Sequence, residues 1–295
     1  MKEFLKLVLF SIICSEYSAQ TMNSSLNSLI STEYSFSKSA AEVGTRDAFL
    51  KFISDDGIIF RPNPVNGKKF LSESKPSGGL LSWYPVIAFV SRAGDLGFTT
   101  GPWQWRQNRI DSVALAYGNY CTVWQREANN EWKFVIDLGN RNDKPSVLPE
   151  RLKIDTTKLN SSFLIKMIKH EKPDELIELD KQFALISSKI GVEAAYKKFV
   201  NDKSRLLRDG KFPIIGRQQI SEYFTQQFAG YNLKPIDGRI SSSKDFGFTY
   251  GELEIIKPDS VRRAVSKERN NYMRIWKKEQ KRWIIIVEVA NIIPQ

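Results

Sequence analysis

Asp95-Leu96-Gly97-Phe98-Thr99-Thr100-Gly101 returns 150 residues later as Asp245-Phe246-Gly247-Phe248-Thr249-Tyr250-Gly251. Three further blocks repeat in the same order. Ala48-Phe49-Leu50-Lys51-Phe52-Ile53-Ser54-Asp55 matches Ala195-Tyr196-Lys197-Lys198-Phe199-Val200-Asn201-Asp202. Tyr120-Cys121-Thr122-Val123-Trp124 matches Tyr272-Met273-Arg274-Ile275-Trp276, and Trp132-Lys133-Phe134-Val135-Ile136-Asp137 matches Trp283-Ile284-Ile285-Ile286-Val287-Glu288. The offset drifts only between 147 and 152. Four collinear blocks at nearly constant spacing mean that one structural unit occurs twice, with small loop insertions.

Both copies read the same way. Residues 24–53 and 174–200 carry apolar residues at three- and four-residue spacing, which predicts amphipathic helices. Gly44 and Gly191 interrupt that pattern, so each stretch divides into two helices joined at a bend. A short strand is expected at Ile58 to Arg61 and again at Arg205 to Arg208. A helix follows from about Lys68, and from Arg217 to Ala229 in the second copy. Three or four long strands close each unit. They are rich in aromatic and β-branched residues and are parted by turns such as Ala128-Asn129-Asn130-Glu131. Helices first and antiparallel strands afterwards is an α+β plan. The expected units are 20–142 and 173–295. The linker 143–172 between them carries Pro145 and Pro149, with a short helix around Phe163 to Ile168.

At 295 residues the chain suits two such units, and 41% hydrophobic content supplies their cores. The net charge of +11 is uneven. Residues 20–150 hold 14 Lys+Arg against 13 Asp+Glu, whereas 151–295 hold 28 against 18. A basic surface attracts polyanions. The basic residues (Lys197, Lys198, Lys277, Lys278, Lys281, Arg282) form no long run and no nucleic-acid motif. Specific nucleic-acid binding is therefore not expected, while weak polyanion binding by the second unit stands beside a plainly solvated lysine-rich surface.

Residues 1–19 read as a secretory signal. Lys2 and Lys6 are followed by the apolar stretch Phe4 to Ile13 and the small-residue exit Ser18-Ala19. Export, periplasmic or secreted, is expected, and the run is too short for a permanent membrane span. Ser11-Ile12-Ile13 before Cys14 is a poor lipoprotein signature. After cleavage only Cys121 remains, so no intramolecular disulfide forms.

The order helix–helix–strand–helix–strands resembles the nuclear transport factor 2-like superfamily, which includes ketosteroid isomerase and polyketide cyclases. The nearest resemblance is to its DUF4440 or SnoaL-like branch. It is carried by Phe49-x-x-Phe52-x-x-Asp55-Asp56-Gly57-Ile58-Ile59-Phe60-Arg61-Pro62, by Gly94 to Trp103, and by Trp132 to Gly139. The resemblance implies two tandem cones, each a curved antiparallel sheet wrapped round helices, with a pocket at the wide end. It also implies a catalytic Asp just before the Pro that ends the first strand. Arg61 stands there, and Arg208 precedes Asp209 in the second copy. A guanidinium stays protonated and cannot abstract a proton.

The chemistry is otherwise sparse. His170, the sole histidine, falls in the expected linker, so no Ser–His or Cys–His arrangement and no histidine zinc site is predicted. No P-loop, dinucleotide fingerprint or EF-hand loop appears, and no cofactor is expected. Asp137 lies on a hydrophobic strand, where a carboxylate must be paired or protonated. It is a candidate acid or base, or else a structural acceptor for backbone N–H groups or Arg106. Arg61 is a candidate carboxylate or phosphate clamp, or else the partner of Asp55 or Asp56.

Trp103 and Trp105, two apart on one strand, share a face. With Trp83, Tyr84 and Tyr117 they form either pocket walls for a flat apolar ligand or plain core. The second copy has Leu253 and Ile255 in their places, so the first cup is the favoured binder.

Three functions remain open. One is a non-catalytic module binding a small apolar or amphipathic molecule at Trp83, Trp103, Trp105, Tyr117, Arg61 and Asp137. The second is an isomerase-, dehydratase- or cyclase-type enzyme using Asp137 with Tyr117 or Arg61. The third is an assembly module whose sheets pair within the chain or between two chains.

Overall fold

The computed structural model describes residues 24–76, 78–154, 172–225, 230–259 and 264–294. The expected signal with Cys14, the helix expected around Phe163 to Ile168, and His170 lie outside the described residues.

In the first half, helix α1 (24–43) buries Leu29, Glu33, Phe36 and Ala40, the spacing of one helix face. Gly44 follows at φ 100°, where a side chain would be strained, and turns the chain into α2 (Thr45–Phe52). Then come β1 (Ile53–Phe60), β2 (Pro64–Asn66), α3 (Gly67–Glu73), β3 (Leu80–Trp83), β4 (Ile87–Val90), β5 (Leu96–Arg106), β6 (Ala116–Arg126) and β7 (Trp132–Asn142). Strand β1 starts earlier than the sequence pattern predicts. Its polar stretch from Ser54 to Gly57 stays beside β7 through an irregularity between Ile53 and Ile58.

The second half repeats the order. Helix α4 (Asp174–Lys189) buries Leu176, Asp180, Phe183 and Ser187, and Gly191 turns at φ 123° into α5 (Val192–Phe199). Strands β8 (Arg205–Arg208) and β9 (Ile214–Ile215), helix α6 (Gly216–Thr225), and strands β10 (Gly230–Ile240), β11 (Phe246–Asp259), β12 (Ala264–Glu279) and β13 (Arg282–Ile292) complete it.

The first sheet runs β2-β1-β7-β6-β5-β3 with β4 also beside β5, and the second runs β10-β11-β12-β13-β8-β9. In each, the strand after the second helix lies parallel to the last strand: β1 to β7, β8 to β13. Strand β10 follows the course of β3 and β4 together. It is irregular between Pro235 and Asp237, where the first half breaks into two strands.

One face of each sheet packs on its own helices. The other faces meet each other. Phe60, Phe98, Cys121, Val123, Ile136 and Leu138 from the first half share a buried cluster with Leu207, Phe246, Phe248, Met273, Ile275 and Val289 from the second. Phe98 and Phe246 stack at 6.0 Å with their planes 8° apart. The first residue of the repeated motif ties the halves reciprocally. Ser242 N donates to Asp95 Oδ2 at 2.8 Å, and Arg92 N donates to Asp245 Oδ2 at 3.1 Å. A contact made once in each direction is the mark of a two-fold interface, here between two copies inside one chain.

Candidate functional site

The alternation of β5, β6 and β7 sends Trp103, Tyr120, Thr122, Asp137 and Gly139 to the helix side of the first sheet, across from Phe36 and Phe49. Two glycines make room for the indole. A Cβ at Gly118 would lie 2.6 Å from the Trp103 ring, and one at Gly139 would lie 3.3 Å from its nitrogen. Trp103 therefore lies over both neighbouring strands and donates through Nε1 to Asn140 O at 3.2 Å. Trp83, opposite Trp103 across the β3–β5 ladder, is pinned by its own N–H, which donates to Glu33 Oε1.

These side chains enclose a cavity of about 700 Å³. Phe36, Phe49, Trp83, Trp103 and Tyr120 form its apolar wall, and Thr122, Asp137, Arg61 and Arg141 its polar part. The second half completes it with Asp209, Asn271, Asn291 and Ile292. These are fixed by bonds across the halves: Arg141 N to Asp209 Oδ1 at 2.7 Å, Asn291 Nδ2 to Gly139 O at 3.0 Å, and Asn271 Nδ2 to Pro62 O at 2.7 Å. Three buried oxygens of its lining residues, Tyr120 Oη, Asn140 Oδ1 and Asn271 Oδ1, lack a hydrogen bond of good geometry, although Tyr120 Oη lies beside Thr99. Such groups are costly unless something satisfies them.

Asp137 accepts from Thr122 Oγ1 at 2.6 Å. By area it keeps some exposure, yet protein surrounds it, as suits a group on a cavity wall, and the enclosure governs its charge. Burial pushes its carboxyl up to about 6, against the pull of the Thr122 hydrogen bond and the Arg61 charge. Behind the cavity sits Glu33, fully buried, accepting from Thr99 Oγ1, from Trp83 Nε1, and from Trp124 Nε1 at 3.1 Å. Burial raises it to about 7; the hydrogen bonds of Thr99, Trp83 and Trp124 oppose this and the nearby Asp137 charge adds to it.

The structure thus brings Trp83, Trp103, Arg61 and Asp137 into one cavity and leaves two expected residues out of it. Trp105 shares the face of Trp103 but lies one step further along, against Gly79 and opposite Leu81. Tyr117 points the other way, since it alternates with Gly118, and lines a separate cavity of about 500 Å³ with Tyr84, Val147 and Phe212. Tyr120 is the phenol beside Asp137. Arg61 pairs with neither Asp55 nor Asp56. It is exposed and donates to Phe60 O at 2.7 Å, while Asp55 pairs with Lys68 and Asp56 reaches Arg239 of the second half at 2.6 Å. Asp137 takes its hydrogen bond from Thr122 rather than from Arg106.

Sequence reasoning missed Glu33 altogether. A signal was present: an acid occupies the second place of the buried helix stripe in both copies, Glu33 among Leu29, Phe36 and Ala40, and Asp180 among Leu176, Phe183 and Ser187.

The equivalent space in the second half is filled. Arg274 stands opposite Glu288 and Thr249, where Thr122 stands opposite Asp137 and Thr99. Its Nε donates to Glu288 Oε2 at 2.5 Å, its Nη1 to Asp180 Oδ1 at 2.7 Å, and its guanidinium lies 3.8 Å from the Phe183 ring centre. Arg208 also pairs with Glu288, and the Tyr196 and Tyr231 hydroxyls donate to it at 2.6 and 3.0 Å. Burial works against ionisation there, yet Arg274 and Arg208 hold the Glu288 carboxyl down at about 2.

Among the described residues, no group of three or more His, Cys, Asp or Glu is placed to hold a metal, and no helix is long and apolar enough to cross a membrane. No family model and no curated protein matches the chain. Solved structures do. A ketosteroid isomerase-like protein from Erwinia carotovora atroseptica is 14% identical over 42% of this chain and 98% of its own, with a TM-score of 0.36. An NTF2-like superfamily protein from Salmonella enterica is 12% identical over 41% of this chain and 91% of its own, with a TM-score of 0.35. An NTF2-like protein with a cystatin-like fold from Novosphingobium aromaticivorans is 12% identical over 41% and 82%, with a TM-score of 0.34. Two helix-lined cups on mixed sheets of the same strand order, one open and one filled, make this chain a tandem α+β repeat.

Proposed function

We propose that the first half binds a small amphipathic molecule in its aromatic cup, with the polar end of the ligand at Asp137 and Arg61. One observation carries this reading: a 700 Å³ cavity with aromatic walls converges on the Asp137 carboxylate, where the second copy of the same fold is closed by its own side chains. The volume lies within the usual range for small-ligand sites, and a few polar groups on an apolar wall is their usual make-up. Non-catalytic binding is preferred because Arg61 stands where a strand-end base is implied. Export through residues 1–19 is part of the proposal, and N-terminal sequencing of the native protein beginning near Gln20 is its test.

A second reading, acid–base catalysis by Asp137, has one observation in its favour: a carboxyl at about 6 titrates close to neutrality. Titration of tryptophan fluorescence against candidate ligands, with Trp103→Ala as control, tests the cup. Asp137→Asn then separates the readings. A binder loses at most a few kcal/mol of affinity through one altered hydrogen bond. An enzyme loses about 10²-fold or more in turnover with substrate still bound.

A further inference from the structure

The two cups differ in one decisive way, and the difference indicates the charge of the ligand that the first cup suits. In the second half a guanidinium lies between two carboxylates and an aromatic face. Arg274 contacts Glu288 at 2.5 Å and Asp180 at 2.7 Å, 3.8 Å from the Phe183 ring centre. The first half retains both acids and the ring: Asp137 for Glu288, Glu33 for Asp180, Phe36 for Phe183. The cation between them is gone, replaced by Thr122. The cavity reaches Phe36, Thr122 and Asp137, so open space lies where the arginine side chain runs in the other copy.

We infer that the ligand of the first cup is a cation, an amine, amidine or guanidine attached to an apolar body. Its charged head takes the place of the Arg274 guanidinium, between the Asp137 carboxylate and the Phe36 ring. The inference rests on the binding function proposed above. Charge balance supports it. The second cup sets Arg208 and Arg274, both buried, against Asp180 and Glu288, whereas the first sets only the solvent-exposed Arg61 and Arg141 against Glu33, Asp137 and Asp209. Asp137 has Thr122 as its one hydrogen-bond donor among the described residues, whereas Glu288 has four: Arg208, Arg274, Tyr196 and Tyr231. A carboxylate beside an aromatic wall with acceptor sites to spare recognises a hydrogen-bonding cation through charge-assisted bonds and cation–π contact together. An anion has Arg61 and Arg141 instead, at the exposed side of the cavity.

Three probes of one size and different charge test this on the full chain: benzamidine, benzyl alcohol and benzoate, each titrated by calorimetry with tryptophan fluorescence in parallel. Benzamidine is expected to bind about tenfold or more tightly than benzyl alcohol, and benzoate most weakly. Asp137→Asn should weaken benzamidine about tenfold or more and so remove its preference over benzyl alcohol. Benzoate binding as well as benzamidine, or benzamidine unaffected by Asp137→Asn, overturns the cation assignment and leaves the cup standing. Failure of all three probes overturns the cup and the assignment together. Because the probe order is read on the unaltered protein, the test holds even if Asp137→Asn does not fold.

Discussion

Thr122 and Arg274 occupy the same register position in the two halves, each facing an acid on the last strand: Asp137 across from Thr122, Glu288 across from Arg274. One residue fills its cup and the other leaves it open. The two sites should therefore answer differently to the loss of the side chain. Arg274→Ala strands Asp180 as a buried charge and leaves Glu288 to Arg208 alone among cations, and should destabilise the protein by roughly 3–5 kcal/mol. Thr122→Ala removes one hydrogen bond to Asp137 and should cost about 1 kcal/mol. Urea unfolding followed by circular dichroism measures both, and equal losses would contradict the assignment.

Glu33 and Asp137 of the first cup act oppositely to Glu288 of the second with pH. Glu33 is raised from 4.5 to about 7 by burial, so the folded state binds its proton more tightly. Its contribution is fully present below the unfolded value and is lost as pH rises through about 7. Asp137, raised to about 6, has the same sign. Glu288, held at about 2, contributes stability above 4.5 that is lost as pH falls through 2. Between pH 5 and 7.5 the melting temperature should therefore fall as pH rises. Glu33→Gln should flatten that slope, the full linkage being on the order of 3 kcal/mol. A slope identical in wild type and Glu33→Gln would show that Glu33 titrates normally.

The facing sheets predict that the halves unfold together. Phe246 is fully buried and touches Phe98 and Phe89 of the first half. Truncating it leaves a cavity in the shared core. Phe246→Ala should cost about 3–5 kcal/mol and lower a single cooperative transition. Two separate transitions, only one of them shifted, would mean that the sheets do not stabilise each other.

Much of the fold was legible in the sequence, because repetition, glycine bends and alternation are local signals. Gly44 and Gly191 marked the helix joints, and the block from Asp95 to Gly101 with its partner from Asp245 to Gly251 marked equivalent strands. The contents of the cup were legible only in part. Asp137 and Arg61 stood out as charges in apolar or strand-end surroundings. Trp105 and Tyr117 were drawn in by residue type, although their exclusion is set by strand length and by the side-chain alternation at Gly118. Glu33 escaped because an acid in a serine-rich helix looks solvated until the helix face it shares is known. The arginine plug required tertiary knowledge, since Arg274 reads from sequence as one basic residue in a basic half.

That basic half yields a separate expectation. Should the excess of Lys+Arg in residues 151–295 serve a polyanion, heparin affinity must fall steeply with salt as counterions are released. Retention that does not change between about 50 and 200 mM salt would leave those lysines as solvated surface.

The central claim is that the first cup is open because Thr122 stands where the second cup has an arginine. The most direct measurement is the calorimetric affinity of a neutral amphipathic probe, 1-naphthol, for wild type and for Thr122→Arg, with melting curves confirming that both are folded. The account predicts binding to wild type, with quenching of tryptophan fluorescence, and a loss of about tenfold or more in Thr122→Arg, whose new guanidinium reaches Asp137 and fills the space. Equal affinity in both proteins, or no binding by either, would contradict it.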